Sequence, residues 1–264
     1  MLSAVTFIHW PEEIDYLEPC LKTLAFADEL IIVNHNAPEN VVKLAKKFGR
    51  VVDTNSADFA EHHNLGQREA KGDWLLFVDS DERVSKKLAK EIVEIDGKYD
   101  SYQLNRVNYF LGKEVKFGDR IPDCVTRLFK KSRLKNWTGE IHESSNVDGK
   151  MGRLDGALYH LTHRSIFLMT EKTINFSEHE ANLRFMANHP PVIGWRLVRV
   201  FLTEFYNRII KMQGWRQGTE GWIDGIFQAF SLFIAYARLW ELQRPESLPD
   251  TYQKIDEKIL AGQV

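Results

Sequence analysis

Cysteine is nearly missing from this chain of 264 residues: there are two, Cys20 and Cys124, and their spacing matches no metal-binding pattern. That excludes a disulfide framework and a cysteine-based zinc site, and a reducing compartment is expected. Net charge is also missing, at -2 formally with a pI near 6.5. Without a basic field to draw in phosphate backbones, no nucleic-acid partner is expected. No basic segment followed by a long apolar stretch opens the chain, so no secretory signal is expected. The apolar run within Ile226 to Trp240 falls short of the roughly 20 residues that a bilayer span takes. Repeats and low-complexity segments are absent. Aromatic residues are plentiful, at 12% with 7 Trp and 16 Phe. They favour a sizeable core with apolar surface to spare.

The most informative stretch is Gly72-Asp73-Trp74-Leu75-Leu76-Phe77-Val78-Asp79-Ser80-Asp81-Glu82. A short apolar run bounded by glycine reads as a strand buried on both faces. Carboxylates at its carboxyl end stand where open α/β sheets bind ligands. Clustered hard oxygens suit Mg²⁺ or Mn²⁺, which bind through one or two carboxylates plus substrate phosphates. The plainer reading of Asp79, Asp81 and Glu82 is a solvated turn.

Strand and helix signals alternate over roughly residues 1 to 95. Ala4 to Ile8, Glu29 to Val33 and Val51-Val52 read as strands. Ile14, Leu17, Leu21 and Leu24 mark one helix, and Val41, Leu44, Ala45 and Phe48 a second. Asn64 to Ala70 marks a third, and Leu88, Ile92 and Val93, capped by Ser85, a fourth. This rhythm means βαβ units and a mostly parallel sheet. Ser101 to Phe110, Cys124 to Lys130 and Leu154 to Leu161 then read as appended hairpins. The last third is helical. Val198, Phe201, Leu202, Phe205, Ile209 and Met212 form the apolar face of a basic amphipathic helix, with Arg196, Arg199, Arg208 and Lys211 around it. Gly214 to Gly225 reads as a connection and Ser247 to Val264 as a loose tail. The aromatic helices suit either packing on the α/β domain or lying in a membrane interface. The expected division is 1–165 and 166–264.

The order of these features resembles glycosyltransferase family 2. It runs from the first strand through Glu12-Glu13, a second strand ending in a polar cluster, and Asp79-Ser80-Asp81-Glu82. Arg106-Val107-Asn108-Tyr109-Phe110-Leu111-Gly112, Pro122-Asp123, Arg127-Leu128-Phe129, His142-Glu143 and Leu158-Tyr159-His160 are similar to its lipopolysaccharide-core β-glucosyltransferase branch. The resemblance implies a GT-A (Rossmann-like) α/β fold. It also implies inverting transfer of a sugar from a nucleotide-sugar donor to a glycan or lipid-linked acceptor, with a divalent cation (Mg²⁺ or Mn²⁺). The protein is then expected in the cytoplasm, peripheral at the inner face of the membrane.

By the same resemblance, Asp79 falls on the ribose side of the donor, and Asp81 and His160 on the metal. Glu12, Asn34, Glu39, Arg106, Asn108 and Arg127 are candidates for holding the donor. Asn34 stands where the family usually has Asp, and Glu39 is a candidate replacement for the second Asp of that turn. Two carboxylates compete as the general base, Asp123 (favoured slightly) and Glu143. Plainer roles stand beside these: Asp123 as an ion-pair partner of Arg127, Glu143 as the residue that orients His142, and His160 as a satisfied strand histidine. Two other readings of the whole chain are a catalytically silent scaffold and, less well matched, a haloacid-type phosphatase.

Overall fold

The computed structural model describes residues 1–118, 121–139 and 144–263. It divides into two compact units, Met1–Tyr109 with Pro122–Thr162, and Phe110–Ile121 with His163–Val264.

The first unit begins with alternating elements: β1 (Leu2–Ile8), α1 (Leu17–Thr23), β2 (Glu29–Asn34), α2 (Glu39–Ala45), β3 (Arg50–Asp53), α3 (Phe59–Glu69) and β4 (Trp74–Phe77). Then come β5 (Glu82–Val84), α4 (Lys86–Val93) and β6 (Ser101–Phe110). After β7 (Lys113–Glu114), which belongs to the second unit, it continues with β8 (Asp123–Lys130), β9 (Leu134–Thr138), β10 (Ser144–Val147) and β11 (Met151–Thr162). The main sheet runs β3-β2-β1-β4-β8-β6-β11-β5. Its β3-β2-β1-β4 half is parallel, while β8 pairs antiparallel with both β4 and β6. This is the expected α/β architecture, with the antiparallel strands inserted into the sheet beside β4.

The acidic strand lies at the centre. Leu75, Leu76, Phe77 and the following Val78 are wholly buried, each burial stabilising by roughly 1.5–3 kcal/mol. Apolar packing on both faces therefore fixes where the strand ends and where Asp79 emerges. Ser85 caps α4, its Oγ accepting from Leu88 N at 3.1 Å. α3 starts earlier than its apolar pattern predicts because Asp58 caps it, Oδ1 accepting from Ala60 N at 2.8 Å.

The first helix departs from its expected phase. Pro11–Asp15 is a 3₁₀ turn, with three residues per turn instead of 3.6. The phase shift turns Ile14 outward and Glu13 into the core.

The second unit contains α5 (Ile166–Met186), α6 (Gly194–Tyr206), a π turn over Asn207–Lys211, α7 (Thr219–Leu242) and α8 (Leu248–Leu260). Residues 110–121, expected with the α/β region, belong here. Lys113 Nζ donates to Gln217 O at 2.6 Å and to Glu220 at 2.8 Å, and Gln217 Nε2 donates to Glu114 O at 2.5 Å. The expected Gly-rich connection is also corrected. Gly221 and Gly225 lie inside α7, because a Cβ on Gly221 would meet Gly214 O at 2.0 Å and one on Gly225 would meet Ile209 at 2.4 Å. The expected loose tail is α8, capped by Ser247, whose Oγ accepts from Asp250 N at 3.2 Å. Among the described residues no helix is long and apolar enough to cross a membrane.

Candidate functional site

Alternation along a strand places every second side chain on one face. On β6 that puts Arg106 and Asn108 together, while on β8 the alternation that runs from Asp123 is broken at Arg127, where the register with β6 shifts by one residue. The β6–β8 pairing sets Arg106 opposite Asp123, and the β11–β5 pairing sets His160 opposite Glu82. The result is one chain of contacts at the carboxyl end of β4. Asp81 meets His160 Nε2 at 3.4 Å, and His160 Nδ1 meets Asn108 Oδ1 at 2.6 Å. Asn108 Nδ2 donates to Asp123 Oδ2 at 2.7 Å, and Arg106 Nε donates to the same oxygen at 2.8 Å. Arg106 and Arg127 each lie 3.6 Å from Glu82, and Arg127 pairs with Asp79.

Glu82 is no solvated turn residue. It is 0% exposed, and the Asp79–Glu82 turn closes on itself. Glu82 Oε2 accepts from Asp79 N at 3.0 Å, and Asp79 O accepts from Glu82 N at 2.9 Å. Burial pushes the Glu82 carboxyl upward, the two arginines offset this by pairing, and Asp79 pushes it further. Burial alone disfavours charged His160, but its hydrogen bond to Asp81 and the charges of Asp81 and Glu82 outweigh that and hold its pKa above the ordinary value. Because Asn108 Oδ1 only accepts, His160 keeps a proton on Nδ1 and turns Nε2 toward Asp81.

A carboxylate beside an imidazole with its second nitrogen held in this way is a donor set that fits Mn²⁺ and similar ions. Among the described residues no group of three or more His, Cys, Asp and Glu side chains is placed to hold a metal ion.

Asp123 is 8% exposed, and both of its contacts fall on Oδ2. Glu143 and His142 lie outside the described residues. Asn34 donates through Nδ2 to Asp53 Oδ1 at 2.7 Å, and its own Oδ1 accepts from Ala37 N at 3.0 Å. Glu39 is not drawn into the network; it is exposed at the start of α2 and pairs with Lys43 at 2.7 Å. Glu12 is half-buried outside it.

The residue beside Glu12 is the one that reaches the acidic turn. Glu13 is buried; Oε1 accepts from Ser80 Oγ at 2.9 Å and Oε2 accepts from His9 N at 2.8 Å. Burial pushes its carboxyl up to about 7. The sequence signal was available: Glu13 lies four and eight residues before the buried Leu17 and Leu21.

A histidine cluster was not foreseen. His9 follows β1, His35 follows β2, and His62 and His63 lie on α3. Ring centroids are 5.2 Å apart for His9–His62, 5.0 Å for His35–His62 and 5.8 Å for His9–His35. Burial pushes His9 down to about 3 and His63 to about 4. Buried nitrogens on His9, His62 and His63 have no hydrogen-bond partner among the described residues.

The fold and this network define a class: an α/β protein whose charged and polar side chains gather at the carboxyl end of a parallel half-sheet, where open α/β sheets bind ligands. Residues 11–153 match the family model for glycosyl transferase family 2. That is more than half of the chain, and the chain belongs to this family. An uncharacterized glycosyltransferase of Rickettsia typhi is 26% identical over 231 residues, covering 81% of this chain and 78% of that protein. Its counterpart in Rickettsia prowazekii is 26% identical over 236 residues, with the same shares covered. The structure of S. aureus TarS 1-349 in complex with UDP-GlcNAc is alike in fold, with TM-score 0.50 and 16% identity, covering 100% of this chain and 93% of that one. Family membership leaves the phosphatase reading without support.

Proposed function

We propose that the chain moves a sugar from a nucleotide-sugar donor to a glycan or lipid-linked acceptor of the lipopolysaccharide-core kind, by inverting displacement. The observation that carries this reading is the continuous network from Asp81 through His160, Asn108, Asp123, Arg106, Glu82 and Arg127 to Asp79. Asp81 and His160 would hold a divalent cation. When bound, that ion supplies positive charge against the leaving diphosphate.

The protein's own groups supply the rest. Arg127 fixes Asp79 for a ribose hydroxyl. Asp123 is the general base: its Oδ1 has no protein partner among the described residues and accepts the acceptor hydroxyl's proton as that oxygen attacks. Arg106 and Asn108 hold Oδ2 and so set the direction in which Oδ1 points.

The second unit is proposed to rest on a membrane. Trp195, Val198, Leu202 and Tyr206 recur along one exposed side of α6, Trp195 being 67% exposed, while Val200 is buried. Arg199 lies beside this stripe. An apolar stripe with adjacent cations suits an anionic bilayer surface.

Calorimetry with a nucleotide-sugar panel and Mn²⁺ tests the donor reading. One nucleotide is expected to bind in a Mn²⁺-dependent way, and Asp81→Ala is expected to remove that dependence. Binding indifferent to both would refute the metal role. In sedimentation with anionic vesicles, the Trp195→Ala/Leu202→Ala pair should bind about tenfold more weakly than the native chain, the scale set by losing two apolar anchors of more than 1 kcal/mol between them. A native chain that stays in the supernatant would end the membrane reading.

A further inference from the structure

Glu13 does two things with its two oxygens. Oε2 accepts from His9 N at 2.8 Å and from Trp10 N at 3.2 Å, closing the start of the Pro11–Asp15 turn. A glutamate that caps its own turn in this way needs one oxygen and can stay in solvent. Glu13 is instead 1% exposed, and its Oε1 is taken up by the hydroxyl of Ser80 at 2.9 Å. Its partners among the described residues are two backbone N–H groups and this hydroxyl, none of them a cation. A buried carboxylate without a cation is costly, and a well-packed apolar side chain is often the more stable choice. Stability therefore gives no reason for the acid; the contact with Ser80 does.

Resting on the donor reading above, we propose that Glu13 is a positioning residue for the cation site, acting through Ser80 on Asp81. Each residue of the acidic turn has its own hold. Asp79 N donates to Glu82 Oε2, and Asp79 O accepts from Glu82 N and from Cys20 Sγ, the latter at 3.4 Å. Asp81 is tied to β11 through its carbonyl, which accepts from Leu161 N at 3.0 Å. Ser80, between them, is held at its hydroxyl by Glu13 and at its carbonyl by Arg83, whose Nη1 donates at 3.0 Å. Arg83 Nη2 in turn donates to Tyr16 O at 2.6 Å, so both holds on Ser80 lead back to residues 13–16. That stretch is stiff. Pro11 fixes the first backbone angle of the turn, and Glu13 N and Tyr16 N close it onto Trp10 O and Glu13 O at 3.2 and 3.1 Å. A cation shared by Asp81 and His160 needs both donors held to within about 0.5 Å. Asn108 sets the His160 ring, and the Glu13–Ser80 contact sets Asp81.

The contact survives a change of protonation. Oε2 faces two donors, so a proton on Glu13 sits on Oε1 and is donated to Ser80 Oγ. Glu13→Gln reproduces that form: its amide oxygen takes the backbone N–H groups and its amide nitrogen donates to Ser80. Glu13→Met keeps the length of the side chain and removes the contact.

The test is calorimetry with UDP, dTDP, GDP, CDP and ADP at a series of Mn²⁺ concentrations. The readout is the Mn²⁺ concentration that gives half of the Mn²⁺-dependent gain in nucleotide affinity. Ser80→Ala, a small change at a half-buried turn position, should melt with the native chain. It should raise that concentration roughly 10- to 100-fold, the scale for removing a partner that orients a metal ligand, and leave nucleotide affinity without Mn²⁺ unchanged. Glu13→Met should do the same. The Glu13→Met/Ser80→Ala pair should do no more than either change alone, because both remove one contact. Ser80→Thr and Glu13→Gln keep a hydrogen bond there and should stay close to the native chain. A lower melting temperature in Glu13→Met with native Mn²⁺ dependence would make Glu13 a cap and nothing more, and would overturn the assignment. So would an unchanged Mn²⁺ dependence in Ser80→Ala, or effects that multiply in the pair. Nucleotide binding to the native chain that ignores Mn²⁺ would remove the cation site, and this assignment with it, while leaving the donor reading standing. If no nucleotide binds the native chain, the donor reading itself falls.

Discussion

Two groups of polar side chains sit at the strand ends of the α/β unit, and they are stabilised in opposite ways. The network beyond β4 is held mainly by ion pairs: fully buried Glu82 lies 3.6 Å from both Arg106 and Arg127, although its Oε1 makes no hydrogen bond among the described residues. The cluster beyond β1 and β2 is neutral and under-bonded. Its imidazoles pack against one another, and His9 and His62 meet Phe59 edge-on, leaving ring nitrogens without partners among the described residues. Buried charge persists only where it is paired, whereas a buried histidine can give up its proton. The first group is thus fixed in place by electrostatics, and the second by shape.

The difference can be broken from either side. The largest expected effect is on the charged side: Glu82→Ala leaves Arg106 and Arg127 short of a buried partner and should cost about 3–5 kcal/mol in urea unfolding. Glu82→Gln keeps an acceptor for Asp79 N and should cost less. On the neutral side the handle is pH. His63, at 6% exposure, has its pKa pushed down to about 4 in the folded chain, against 6.5 unfolded. The unfolded chain therefore binds the proton first as pH falls. Stability is fully present above pH 6.5 and is lost down to about pH 4, by roughly 3 kcal/mol from this residue. His63→Leu should remove that loss in melts taken from pH 7 to 4.

Glu13 runs the other way. Its pKa is pushed up to about 7 from 4.5, so the folded chain holds the proton longer. Its contribution is complete below pH 4.5 and is lost as pH rises to about 7, again on the order of 3 kcal/mol. The two windows overlap with opposite sign and largely offset each other in the native chain, so Glu13→Gln should expose the His63 loss on acidification and His63→Leu should expose the Glu13 loss on raising pH. If the two slopes move together, the two groups are not the independent units described here. The smallest effect is expected of Glu39→Ala, whose exposed pair with Lys43 should be worth under about 0.5 kcal/mol.

The contrast also sets what the sequence discloses. Asp79, Asp81, Arg106, Asn108, Asp123, Arg127 and His160 stand in an order that resembles a known family, and strand alternation, with the register shift at Arg127, accounts for their meeting. The burial of Glu82 was not visible, because a carboxylate in a turn looks solvated until its two arginines arrive from β6 and β8. Glu13 was passed over for Glu12, although its four- and eight-residue spacing to Leu17 and Leu21 marks it as facing inward. The histidines carry no spacing motif: His9, His35 and His62 come from three separate loops or helices and meet only through the parallel strand order. Asn34 stands out in the sequence by replacing the family's usual Asp, but its tie to Asp53 depends on the β2–β3 register. α8 was hidden by its polarity, since its helix signals are a Ser247 cap and Leu248, Tyr252, Ile255 and Ile259 at three- and four-residue steps.

The most direct test of the charged network as a transfer site is release of nucleoside diphosphate from a nucleotide-sugar panel, with Mn²⁺ and lipid-linked glycan acceptors, by the native chain and Asp123→Asn. The account predicts acceptor-dependent release by the native chain, with kcat lowered by roughly 10²–10⁴-fold in Asp123→Asn and donor affinity nearly unchanged. Donor binding without release from any member of the panel, or equal release by both proteins, would contradict it.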